Sequence, residues 1–117
     1  MIVAKPTWTR RLKQYRTIWW HEWHGVPYRE DPRVVSGHVE AEDYRPNEFR
    51  ACYYVQGHRT DIGAFVTLAE AQAAADGAVE KLLDVTLAEA TASWKAWTKQ
   101  RRAVARVEKL AREARLA

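Results

Sequence analysis

The chain has 117 residues, 47% hydrophobic and 29% charged, with a formal net charge of +4. This composition is globular rather than disordered, and the length suits one compact domain with a modest core. Lys5-Pro6 interrupts the short apolar start Met1-Ile2-Val3-Ala4, so neither a signal peptide nor a transmembrane helix is expected. The single cysteine, Cys52, allows no internal disulfide and fits a reducing, cytoplasmic location.

The charge is unevenly distributed. Residues 1–16 hold Lys5, Arg10, Arg11, Lys13 and Arg16 with no acid, and residues 95–117 carry a net +6, whereas 17–94 carry −7. The pattern divides the chain into a basic arm over 1–16, a module over 17–84 and a basic C-terminal helix over 85–117.

Within the arm, Trp8, Leu12 and Tyr15 have i, i+4, i+7 spacing, which predicts a short helix. Thr17 to Arg29 is rich in aromatic and β-branched residues and reads as a strand entering a Gly25-Val26-Pro27 turn. In that strand Ile18, Trp20 and Glu22 point one way and Trp19, His21 and Trp23 the other, so large rings lie on both faces. Either a C-terminal helix covers the second face through Trp94 and Trp97, or a partner does. Val34 to Tyr44 predicts a further strand with a bulge at Gly37, and Arg45-Pro46-Asn47-Glu48 a turn. Residues 49–56 and 59–66 alternate as two strands joined by a Gly57-His58 turn.

Thr67 precedes Glu70 by three residues, a capping box that starts a helix with Leu68, Ala71, Ala75, Val79 and Leu82 on one face. The hexapeptide TLAEAQ at Thr67 is echoed by TLAEAT at Thr86, which marks a second helix start after Asp84-Val85. Ala90, Trp94, Trp97, Val104, Val107, Leu110, Ala111 and Ala114 form its apolar stripe, narrow after Val104. That half pairs with another helix or stays solvated, and a homodimer through it is one expectation. The predicted fold is α+β: a three- or four-stranded antiparallel meander packed on a helix, followed by a long basic helix.

The run Ile62-Gly63-Ala64-Phe65-Val66-Thr67, with Glu70-Ala71, Ala74 and Asp76, resembles the plant ethylene-response-factor DNA-binding domain. Phe49-Arg50-Ala51 is similar to that family's Trp-x-Ala strand, and the same outline occurs in the arm-type DNA-binding domains of phage integrases. The likeness spans about 49–80. It implies three antiparallel strands on a helix, a sheet docked in the major groove, and Arg50, Tyr54, Gln56, His58 and Arg59 near bases.

No catalytic signature is present: Cys52 has no marked base, no Gly-rich phosphate loop occurs, and no enzyme activity is expected. His21 and His24 have i, i+3 spacing in a segment that reads as strand, which places their rings on opposite faces, so neither metal nor other cofactor is expected. Two binding readings remain. In the first, a nucleic-acid-binding accessory protein of phage or mobile-element origin uses Arg10, Arg11, Lys13, Arg16, Arg50, Tyr54, Arg59, Lys99, Arg101, Arg102 and Arg106. In the second, a protein-interaction module such as a phage-encoded inhibitor of a host or defence complex uses residues 17–84, with six basic and twelve acidic residues, to grip a basic partner through Trp19, Trp23, Glu40, Glu42 and Asp43. The acidic setting of Trp19, Trp20 and Trp23 disfavours an anionic membrane surface.

Overall fold

A computed structural model of the protein describes residues 1–26 and 34–116. Six strands precede two helices: β1 (Ile2–Ala4), β2 (Thr9–Lys13), β3 (Arg16–Gly25), β4 (Val34–Glu42), β5 (Phe49–Val55), β6 (His58–Phe65), α1 (Leu68–Leu83) and α2 (Leu87–Leu116). The six-stranded sheet is antiparallel, ordered β1-β3-β4-β5-β6, and β2 shares the outer side of β3 with β1. The architecture is therefore α+β, with a wider sheet than the sequence predicted. Pro27 to Arg29, the end of the segment read as strand and turn, and Ala117 lie outside the described residues.

The extra strands come from the N-terminal segment, where a short helix was expected. Ala4 pairs with Trp23 and Thr9 with Trp20, so the four residues Lys5 to Trp8 lie opposite only His21 and Glu22. Pro6 has no N–H to give a ladder and is tolerated at a sheet edge, which accounts for the interruption. Beyond it, all five residues of β2 are exposed. Sheet pairing overrides the helical spacing of Trp8, Leu12 and Tyr15, and the charges of Arg10, Arg11 and Lys13 suit an unprotected edge.

One sheet face carries the core. Trp23, Val35, Ala4, Val79 and Ala90 form one buried cluster; Val39, Ala51, Ala71 and Ala75 form a second, flanked by Trp8, Trp19, Phe49 and Phe65. Helix α1 lies over β4, β5 and β6, and α2 packs against β1. Both helices thus sit on the Trp19–Trp23 side of the sheet: α1 covers it together with the start of α2, where Ala90 joins Trp23 in the core, rather than Trp94 and Trp97 as expected. Close approach of α1 depends on small residues: a Cβ on Gly37 would lie 3.3 Å from Ala75 Cβ and 3.4 Å from Trp8 Cη2. Gly37 is in regular register between His21 and Tyr53, so it serves this contact and forms no bulge.

The β5–β6 turn centres on Gln56 and Gly57, one residue earlier than expected, with φ of 50° and 83°. Two left-handed residues match the twist of a tight hairpin. Both helix starts are as read: Thr67 Oγ1 accepts from the Glu70 N–H (3.2 Å) and Thr86 Oγ1 from the Glu89 N–H (3.1 Å). Helix α1 ends at Asp84 in the left-handed region, and Glu80 Oε2 accepts from the Leu87 N–H at 2.7 Å, joining the two helices. On α1, Leu82 is 48% exposed, and Leu83 packs inward instead. From Lys99 to Leu116 every residue of α2 is exposed, so the helix projects from the body and the long dimension reaches 62 Å.

Candidate functional site

The interruption between β1 and β2 frames a buried polar cluster. His21 and Asp76 are 2% and 8% exposed, respectively, and His21 Nδ1 donates to Asp76 Oδ1 at 2.7 Å. Its Nε2 donates to the Lys5 carbonyl, freed by the break in the edge, and Trp8 Nε1 donates to Asp76 Oδ2 at 3.3 Å. Both ring nitrogens face atoms that only accept, so the geometry selects the doubly protonated imidazolium. Burial opposes that charge, but the Asp76 hydrogen bond, the Lys5 carbonyl and the Asp76 charge outweigh it and raise the His21 pKa above its ordinary value. With every polar atom of the pair engaged, the cluster fastens the N-terminal strands to α1. It has no free group for chemistry.

The open face of the sheet presents residues named in both sequence readings, and most of them pair with one another. Arg16 Nη1 donates to Glu40 Oε1 at 2.6 Å, Arg50 Nη2 to Glu42 Oε1 at 3.0 Å, and Arg59 Nε to Asp61 Oδ1 at 2.7 Å. Glu42 is held below the usual carboxylate range, first by a Tyr44 hydrogen bond and then by Arg50. Tyr54 meets His38 edge-on, with centroids 4.5 Å apart. Burial, then the Arg59 charge, lowers the His38 pKa, and burial raises that of Cys52.

The protein-interaction surface expected from the sequence does not assemble. Trp23 is 1% exposed within the core and offers nothing to a partner. Trp19 lies on the helix-facing side against Phe49 (6.0 Å), while Glu40 and Glu42, on the other side, are engaged by arginines. Asp43 is exposed, and its N–H donates to the Tyr15 carbonyl at the end of the β2–β3 hairpin. The alternation of a strand separates the rings from the acids, since odd and even positions take opposite faces.

The remaining cations gather on α2. Lys95, Lys99, Arg102 and Arg106 recur at i, i+4, i+7 and i+11, one stripe of a helix about 16 Å long at 1.5 Å per residue. With Pro6, Trp94 and Thr98 they line a groove of about 410 Å³ in which, among the described residues, no acid takes part. Among the described residues none of the four is in an ion pair, whereas Lys109, farther along, reaches Glu113 at 3.9 Å. Arg101 turns away from the stripe and lies over the Trp97 ring at 4.8 Å. On β2, Arg10, Arg11 and Lys13 are exposed and likewise outside any ion pair among the described residues. The β1–β2 edge and α2 meet at Pro6.

The structure thus splits the residues expected to bind nucleic acid. Arg16, Arg50, Tyr54 and Arg59 belong to a compensated sheet face; Arg10, Arg11 and Lys13 to an edge; Lys99, Arg102 and Arg106 to one groove. Sequence reasoning did not place Lys95, Trp94 or Pro6 in a binding site. The four-three-four spacing from Lys95 was present as a signal; that Pro6 closes the groove was not. Among the described residues, no cluster of three or more His, Cys, Asp or Glu is placed to hold a metal ion, and no helix is long and apolar enough to cross a membrane.

No protein-family model, curated protein or solved structure matches this chain.

Proposed function

We propose that this is a non-catalytic nucleic-acid-binding protein whose affinity resides in α2 and the adjoining β2 edge. The observation that carries the reading is the groove holding Lys95, Lys99, Arg102 and Arg106 with no acid among its described lining residues. Cations already paired within a protein have little left for a phosphate, whereas unpaired ones on one stripe release counterions when they meet a polyanion. The compensated pairs Arg16–Glu40, Arg50–Glu42 and Arg59–Asp61 argue that the open sheet face contributes little. The likeness to DNA-binding modules agrees with the ligand class but not with sheet docking. An accessory role in a phage or mobile element follows from that likeness alone.

The test is fluorescence anisotropy of labelled DNA over a series of salt concentrations. Binding should weaken with log salt at a slope of roughly −0.7 to −0.9 per phosphate engaged. Replacing Arg102 and Arg106 with glutamate should flatten that slope, and replacing Arg50 should leave it nearly unchanged. Absence of binding at low salt sinks the reading.

A further inference from the structure

We propose that the α2 groove takes single-stranded nucleic acid, with one base stacked on the indole of Trp94 while Lys95, Lys99, Arg102 and Arg106 follow the phosphates. This rests on the nucleic-acid reading above and narrows it.

Of the six tryptophans, Trp20, Trp94 and Trp97 belong to neither buried core cluster; Trp20 lies on β3, and Trp94 and Trp97 lie on the basic helix. Trp94 is half-buried and forms the shared wall of two adjoining hollows. One contains Pro6 and the four-cation stripe; the other contains Trp97, Thr98, Arg101, Arg102 and Ala105. Trp97 lies 5.3 Å from Trp94 at a 51° tilt, and Lys5 stands over the Trp94 indole 5.9 Å from the centroid. That distance is the outer limit of a cation–π contact. Lys5 is also drawn to Glu22 at 3.6 Å, so a base entering over Trp94 displaces little. Trp97 differs, because the Arg101 guanidinium already occupies its face at 4.8 Å.

A planar ring beside a straight row of unpaired cations is the arrangement that binds unpaired strands, since every base has a face to stack and every nucleotide a phosphate. A duplex keeps its base faces inside the stack and gives Trp94 nothing to hold. The open sheet face, which would be needed to enter a major groove, is neutralised by its own acids.

The experiment compares labelled oligothymidylate with a duplex of equal length, using the full chain at matched salt. The single strand should bind roughly tenfold tighter, the scale of one stacked base. Trp94→Ala should cost the single strand roughly tenfold and the duplex much less, removing the preference; Trp94→Tyr should restore most of it, and Trp97→Ala should cost much less. Duplex binding as tight as single-strand binding by the unaltered protein overturns the proposal while leaving the nucleic-acid reading intact. So does a Trp94→Ala loss shared equally by both ligands. Failure of both ligands to bind at low salt overturns the two together.

Discussion

Removing the Asp76 carboxylate is the sharpest test of how the N-terminal strands are held. Asp76→Ala leaves the buried His21 Nδ1 and the Trp8 Nε1 without an acceptor, in a site where His21 is 2% exposed. Breaking one side of a buried, hydrogen-bonded pair costs on the order of 3–5 kcal/mol. The imidazole can shed its proton and recover part of that, so the expected loss is about 3 kcal/mol near neutral pH. For a domain of this size that lowers the melting temperature by roughly 12 °C. The pH dependence gives a second reading. The His21 pKa is raised above 6.5 in the native state, so between the two values the folded protein binds the extra proton. The pair's contribution is complete below about 6.5 and disappears as pH rises through the native value. Urea and thermal unfolding followed by circular dichroism at stepped pH should show the unaltered protein losing stability over that window, and Asp76→Asn showing a flatter profile. The reasoning is refuted by an Asp76→Ala loss below about 1 kcal/mol at mildly acid pH, or by an Asp76→Asn profile as steep as that of the unaltered protein.

Three smaller effects follow from local geometry. Gly37→Ala forces a methyl to within 3.3 Å of Ala75 Cβ and should destabilise by about 1–3 kcal/mol in urea unfolding. Thr86→Ala removes the acceptor for the Glu89 N–H and should cost about 1 kcal/mol, with a matching loss of helical ellipticity on heating. Cys52 is buried and its thiol pKa is raised by that burial, so alkylation of the native protein at mildly alkaline pH should be slow and should accelerate sharply in denaturant.

What the sequence disclosed depends on how far apart the cooperating residues lie. Thr67 and Glu70, or Thr86 and Glu89, carry their own instruction within one helical turn, and both helix starts were read correctly. The alternation read over 49–56 and 59–66 is equally local, and the strands run Phe49–Val55 and His58–Phe65. The split edge was not legible, because Trp8, Leu12 and Tyr15 fit a helix as well as a strand and only pairing with β3 decides between them. The His21–Asp76 pair joins residues 55 positions apart, and no local pattern marks either as the other's partner. The groove was half legible: the cations were visible, but their sorting into free and compensated groups depends on which acids the sheet brings beside them.

The anchoring of the N-terminal segment also bears on the order in which the molecule is made. Trp8 is held by a residue 68 positions later, and Ala4 packs in a cluster with Ala90. On a ribosome, Ala4 and Trp8 are made well before the helices that complete their packing, whereas β3 to β6 and α1 form an almost sequential series of neighbours. Closing so long a loop is slow relative to hairpin formation. Pulse-labelling hydrogen exchange during refolding should find the amides of β1 protected last; protection of β1 ahead of α1 would contradict this order.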